Sequence, residues 1–366
     1  MKTTCELLYH FGVSVLIKKK YKFSKTTYEG TDTMTIKTKL LAGAVALIAF
    51  DYAHAANVYN TDDTSLVLGG RVQANFNSVE ATADHDKAAL ETKARLRVDG
   101  STKIYDGVKA IGFAEWEVGS ETSQNGKWNT RFAYTGFKTD NYGTLTFGQD
   151  HTGIYYVIDR TDVFTDYGSR GNTYWSYGGR QEGQIKYNYT NGGLVFNATY
   201  QSAGLDAVNN GAATSVGYTF DVGLPLVAAL GYDFYDVADS TDDKQSVAAG
   251  LSLGTEGDGF YSGLLYQFTD YKDSKNKNGW EALASYGWES GWVLYAGYQN
   301  LRQGHAILKS NLIGELQYNF NSNFKVLLET EIGVTDIDRV DVLGNKISST
   351  GERSDDKVSI AAQYNF

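Results

Sequence analysis

Apolar and polar residues alternate with a period of two along most of this chain. In residues 93–98, Ala94, Leu96 and Val98 share one face and Lys93, Arg95 and Arg97 the other. Residues 114–118 set Ala114, Trp116 and Val118 against Glu115 and Glu117, and residues 129–134 set Phe132 and Tyr134 against Asn129 and Arg131. Further on, Ile185, Tyr187 and Tyr189 oppose Arg180, Glu182, Gln184, Lys186 and Asn188. Such alternation predicts β-strands with two unlike faces. A soluble sandwich would turn its apolar faces to a core. Here several of the opposite faces are fully charged, which fits apolar residues outside and charged residues around a watery lumen.

Clusters of Gly, Asn and Asp divide the strands. Short turns are predicted at residues 103–107, 139–143, 190–193, 221–225, 255–259, 289–291 and 319–323, and more variable loops near 78–87, 120–126, 151–178, 203–210, 238–243, 271–277, 303–305 and 336–354. The single proline, Pro225, falls in a turn, where its missing amide hydrogen costs no ladder bond. Short turns on one rim and longer loops on the other predict an all-β, transmembrane antiparallel β-barrel of about sixteen strands. The last strand, residues 357–366, places Val358, Ile360, Ala362, Tyr364 and Phe366 on one face. A closing strand is required, because lipid offers no water to an open sheet edge.

One stretch breaks the pattern. Residues 147–180 show neither alternation nor a helical stripe and carry Asp162 and Asp166 among aromatics and glycines. A long irregular insert in a compact domain is usually functional. This one is predicted to fold into the lumen and constrict it. Its aromatics are expected to pack the loop against the wall.

Composition agrees with a barrel: of 366 residues, 14% are aromatic, with 27 Tyr and 40 Gly. The longest apolar run, residues 40–50, is too short for a membrane-spanning helix, which needs about twenty residues. It reads instead as the core of a signal peptide over residues 34–55, with basic residues Lys37 and Lys39 before it and the small-x-small site Ala53-His54-Ala55 after it. Residues 1–33 then precede an internal Met34 and read as a non-native upstream extension, leaving residues 56–366 as the barrel. Residues 1–55 hold 8 of the 33 basic and 4 of the 43 acidic residues, so the mature chain keeps 25 against 39 and a net charge of −14. That sign is wrong for a nucleic-acid partner. The only cysteine, Cys5, lies in the removed part, which suits passage through an oxidising compartment. Three mature histidines, His85, His151 and His305, stand in or beside predicted loops, and no GxSxG elbow, HExxH helix or phosphate loop appears. No catalytic residues, cofactor or metal ligands are expected.

The segments Ala94-Arg-Leu, Thr130-Arg-Phe-Ala-Tyr-Thr-Gly-Phe137, Leu145-Thr-Phe-Gly-Gln149 and Thr161-Asp-Val-Phe-Thr-Asp166, with the ending Gln363-Tyr-Asn-Phe366, resemble the general diffusion porins of Gram-negative outer membranes. The resemblance spans most of the mature chain. It implies a homotrimer in outer-membrane lipid, passing small hydrophilic solutes and ions without cofactor or energy source. It also implies a pore constriction in which Arg95, Arg131 and Arg180 face Asp162 and Asp166, with Glu117 and Glu115 as counter-charges and Arg71 as a further basic lumen position. Where the family often carries a lysine, this chain has Asn129, and the loop tip ends Thr165-Asp-Tyr-Gly-Ser169 in place of Pro-Glu-Phe-Gly-Gly. With the net charge, the missing lysine implies a mild cation preference. A substrate-selective porin with a saturable oligosaccharide site, or a structural or adhesive barrel, are the alternatives.

Overall fold

The computed structural model describes residues 56–366 apart from 79–87, 120–126, 178, 203–207, 238–242 and 354–355. The upstream extension, the signal peptide and the predicted loops over those stretches lie outside the described residues. Nineteen strands follow in order: β1 (Ala56–Asn60), β2 (Thr64–Ser78), β3 (Ala88–Tyr105), β4 (Val108–Gly119), β5 (Trp128–Thr139), β6 (Gly143–His151) and β7 (Arg180–Asn191). Then come β8 (Leu194–Gln201), β9 (Val208–Asp221), β10 (Pro225–Val237), β11 (Lys244–Thr255), β12 (Asp258–Tyr271) and β13 (Lys277–Gly287). The last are β14 (Trp292–Gln303), β15 (Ala306–Asn319), β16 (Phe324–Gly333), β17 (Asp336–Val340), β18 (Lys346–Arg353) and β19 (Lys357–Asn365).

Sixteen of these, β2 to β16 and β19, form one closed antiparallel barrel. Each strand pairs with its neighbour in sequence, and β19 closes the ring on β2 from Ser359 opposite Asn77 to Asn365 opposite Arg71. Two further bonds complete the seam, Gly70 N to Phe366 O at 2.8 Å and Phe366 N to Gly70 O at 3.0 Å. The short β1 lies along the first half of β2. All seven predicted short turns are present. Outward positions are apolar and exposed, as at Leu230, Leu264 and Ile360. Ring pairs gather near the strand ends of the outer face, among them Tyr218 with Phe220, Tyr286 with Trp288 and Trp292 with Tyr318. That is the girdle expected where a barrel crosses a bilayer.

Three local readings are corrected. Alternation had put Phe132 and Tyr134 outside. In the β4–β5 ladder, Glu115 pairs with Phe132 and Trp116 with Thr130, so Arg131 is the extra residue of a bulge. A bulge shifts the parity of everything beyond it. Phe132 and Tyr134 therefore face inwards, where both pack on Phe113 at ring distances of 5.9 and 5.2 Å. A register shift against β6 and Gly183 at φ +62° do the same to β7. Gln181 is buried inside and bonded to Gln201, while Glu182 is exposed. Lastly, residues 336–354 are not a plain loop. They hold the β17–β18 hairpin, whose turn is organised by Asp341 accepting from the amides of Leu343 and Asn345 at 3.0 and 2.8 Å.

At the barrel seam, a β-carbon on Gly70 would lie 2.2 Å from the Arg95 carbonyl oxygen and 2.8 Å from the Phe366 ring. Gly70→Val is expected to destabilise closure by about 2 kcal/mol or more. The folded fraction after refolding in detergent, read by heat-modifiable electrophoretic mobility, should fall; a wild-type fraction would show that the seam can spread.

Candidate functional site

The chain between β6 and β7 enters the barrel and crosses its inner wall. It begins with a one-turn helix, α1 (Tyr155–Ile158). Ile154, Val157 and Ile158 are fully buried against Ala213, Ala229, Ala248 and Leu265, inward residues of β9 to β12. Small wall residues leave room for the loop's larger ones. Each such buried side chain contributes about 2 kcal/mol. Beyond this apolar foot the loop is held by polar wall side chains that accept its backbone amides. Glu315 on β15 accepts from Thr165 N at 3.0 Å, and both oxygens of Glu329 on β16 accept from Asp166 N and Tyr167 N at 2.8 Å. The tip reaches the barrel seam, where the Asp166 carboxylate accepts from Asn75 Nδ2 at 2.5 Å on β2 and Ser359 Oγ at 2.9 Å on β19.

The return leg retraces the wall. Gln299 on β14 accepts from Arg170 N at 2.9 Å. On β13, Glu281 gathers Gly171 N at 2.7 Å, Asn172 Nδ2 at 3.0 Å and Thr161 Oγ1 at 2.5 Å, thereby tying both legs together. Gln267 on β12 accepts from Thr173 N at 2.7 Å. These are largely charge-assisted bonds in a buried setting, and they satisfy amides that irregular backbone would otherwise leave unpaired. Arg170, Lys309 and Lys357 surround Glu331 at 3.1, 3.0 and 3.8 Å.

Opposite the loop, β3, β5 and β7 carry Arg95, Arg131 and Arg180, and β4 carries Glu115 and Glu117. Arg95 donates through Nε to Glu117, Arg131 Nε lies 2.6 Å from Glu115 Oε1, and Arg131 also reaches Glu117 at 3.7 Å. The bulge at Arg131 brings its side chain into this cluster beside Phe132. Arg180 lies over the Phe132 and Trp175 rings, 5.7 and 5.1 Å from their centroids. Arg71 donates to Gln363 at 3.3 Å, and Asn129 pairs with Glu117 in the ladder. The sequence-predicted arginines and glutamates are thus brought together. The two loop acids part company: Asp162 stays in the field of Arg180 and Arg131, whereas Asp166 is turned to the wall as an anchor.

A cavity of ≈ 820 Å³ lies on the side of the short turns. It is lined by Arg71, Arg95, Arg97 and Glu115 from the wall, by Asp159, Arg160 and Asp162 from the loop, and by turn residues such as Glu256 and Asn321. Burial pushes the Asp162 carboxyl up to about 6, against the Tyr155 hydroxyl that donates to it at 2.9 Å. Burial also raises Asp159, partly offset by Arg160 at 2.8 Å, and lifts Glu256 to about 7. Among the loop aromatics, Tyr155 stacks on His151 at 3.6 Å and Trp175 packs beside both. Their packing role follows the sequence expectation. The wall acceptors Gln267, Glu281, Gln299, Glu315 and Glu329 went unrecognised in the sequence. An acid or amide recurring on inward positions of consecutive strands was the available signal.

A closed barrel with polar lumen and a loop at its waist defines a transmembrane channel. Comparison with known proteins identifies which kind. The chain matches the Gram-negative porin family over residues 43–366, and it belongs to that family. It is 27% identical to porin-like protein L of Photobacterium profundum, covering 90% of this chain and 99% of that one. With outer membrane porin N of Escherichia coli it shares 30% identity over 66% of this chain and 70% of the other. In structure it is similar to Salmonella typhi OmpF, solved in complex with daunomycin, at a TM-score of 0.71 and 19% identity, covering 85% and 100% of the two chains. An anion-selective porin from Comamonas acidovorans gives 0.68 at 18% identity, covering 83% and 100%. The protein is accordingly a porin of the Gram-negative outer membrane.

Glu281→Ala strands three donors from both legs of the loop and is expected to loosen it by about 3 kcal/mol. Open-channel current noise should rise, with new protease cleavage within residues 161–173. A quiet, protease-resistant channel would show that the other anchors suffice.

Proposed function

We propose that this porin is a general diffusion channel for small hydrophilic solutes and ions, with weak cation preference, acting as a homotrimer and without catalysis. The observation that carries this reading is the waist itself. The inner loop bears Asp159 and Asp162, the facing wall bears Arg95, Arg131 and Arg180, and an open polar cavity of ≈ 820 Å³ continues beneath. Opposed charges at a narrow point orient polar permeants and disfavour apolar ones, which would displace ordered water without replacing its hydrogen bonds. The loop's aromatic residues are engaged in packing, which favours non-specific passage over a sugar-binding track.

Charge at the waist is close to balance, because Glu117 and Glu115 pair with Arg95 and Arg131. Selectivity is therefore weak, and its sign follows the acidic excess of the mature barrel, whose net charge of −14 derives from the composition. Trimer formation is supported by the unlike outer faces of the barrel. Those of β2 to β4 carry Gly70, Ala74, Ala94, Gly100, Ala110, Gly112 and Ala114 among the aliphatic Val72, Leu96 and Val98, and the glycines and alanines let another protein surface pack closely. The ring pairs gather instead around β9 to β16. A solved OmpT of Vibrio cholerae, similar in fold at a TM-score of 0.63, is described as a trimer form.

Planar-bilayer recording tests the reading. Currents stepping in threes, with weak cation preference and no saturable sugar block, are expected; block by one sugar class would establish a selective porin instead. The preference should also weaken as pH falls from 7 to 5. Asp162 holds its proton up to about 6, and Asp159, Tyr155, Arg131 and Arg180 surround it, so protonation removes one negative charge from the waist. Asp162→Asn should show the weaker preference at every pH, by reversal potential in a salt gradient. An unchanged reversal potential would remove Asp162 from the permeation path.

A further inference from the structure

We propose that a track of inner-wall glycines, one on each of six consecutive strands, seats the inner loop and sets the aperture of the waist. The six are Gly217 on β9, Gly231 on β10, Gly250 on β11, Gly263 on β12, Gly279 on β13 and Gly297 on β14. Mid-strand glycine weakens a sheet and packs nothing, so it commonly marks the close approach of another backbone. Here that backbone is the loop. A β-carbon on Gly263 would stand 2.1 Å from the Arg160 carbonyl oxygen, and one on Gly279 would stand 1.9 Å from that of Gly171. Neither contact can be relieved by a rotamer change. At Gly250 the nearest atom is the Val157 carbonyl oxygen at 2.9 Å, and at Gly231 it is Ile154 Cγ1 at 2.8 Å. At Gly217 and Gly297 it is an aromatic ring, Tyr156 at 2.5 Å and Phe164 at 3.0 Å.

The order of contacts follows the path of the loop. Ile154, Val157, Arg160 and Phe164 of the outward leg meet β10, β11, β12 and β14 in turn, and Gly171 of the return leg meets β13. Two sets of wall features therefore act on the loop along different directions. The carboxylates and amides pull it towards the wall, and the glycines set how near it comes. A carbon–oxygen contact needs about 3.3 Å, so a methyl group at 263 or 279 displaces the loop by about 1 Å. The wall is a closed ring of laddered strands, whereas the loop is tethered by its ends and by side-chain bonds. The loop is the part that yields, and the free direction is into the lumen. A narrower waist follows.

This inference rests on the diffusion-channel reading, and liposome swelling separates the two. Full-length Gly263→Ala and Gly279→Ala barrels are compared with wild type using a mono-, a di- and a trisaccharide. The ratio of trisaccharide to monosaccharide rate is expected to fall at least about two-fold, with single-channel conductance lower by roughly a quarter. Fewer folded barrels would lower all rates together and leave that ratio alone. An unchanged or larger ratio overturns the proposal. So does an equal fall in Gly314→Ala on β15, where a β-carbon would meet only ordinary contacts, the nearest 3.7 Å away. Should neither variant fold, Gly297→Ala is expected to lower the ratio and the added change Phe164→Leu to restore it; failure to restore it overturns the proposal. A wild-type barrel that passes no sugar refutes the channel reading, whereas a conducting wild type with unaltered glycine variants refutes only the track.

Discussion

Every backbone amide of this chain that lies in lipid has to be satisfied within the protein, and the barrel is the consequence. Strands cannot end in an open edge there, so β19 returns to β2 and the Gly70–Phe366 bonds complete the ring. Closure then imposes two chemically opposite faces on one sheet, apolar towards lipid and polar towards water. It also leaves a lumen that must be filled or narrowed from within. The loop between β6 and β7 does this, and its irregular backbone is tolerated at membrane depth because it lies against protein and water, not lipid.

That loop poses the same accounting problem on a smaller scale. Its amides have no ladder to join. Glu281, Glu315 and Glu329 supply the missing acceptors, so these wall acids act first as structural anchors. Across the lumen, Glu115 and Glu117 hold neighbouring arginines side by side in spite of their mutual repulsion. Charge in the lumen is therefore arranged largely in local pairs. Asp162 stands outside those pairs, partly buried and bonded to the Tyr155 hydroxyl, with Arg180 and Arg131 acting on it through their field.

Bulges tune this arrangement. At Arg131 one extra residue rotates the remainder of β5, which brings Arg131 and Phe132 to the same side and supplies the ring on which Arg180 lies. At Gly183 a second irregularity exchanges Gln181 for Glu182 on the inner wall. Both occur beside the waist, where a strand with perfect alternation would have faced a different set of side chains into the lumen.

Alternation, turn residues and the one unpatterned stretch determined the strand number, the barrel, the inner loop and the inward faces that hold Arg95, Arg131, Glu115 and Glu117, whereas their meeting at a constriction was what the family resemblance implied. Those properties are local: parity along a strand and Gly, Asn or Asp at its ends are set by neighbours in sequence. Residue parity past Arg131 and Gly183 was not legible, because a bulge is defined only by the partner strand. The hairpin in residues 336–353 was hidden in the same way, since its alternation is short and its turn depends on Asp341. The landing of the loop depended on contacts between residues more than a hundred positions apart, such as Gly171 with Glu281 and Tyr167 with Glu329. Asp162 and Asp166 look alike in sequence. Only the tertiary structure turned one towards the arginines and the other into the seam, because the wall groups that capture Asp166 come from β2 and β19, the two strands that close the barrel.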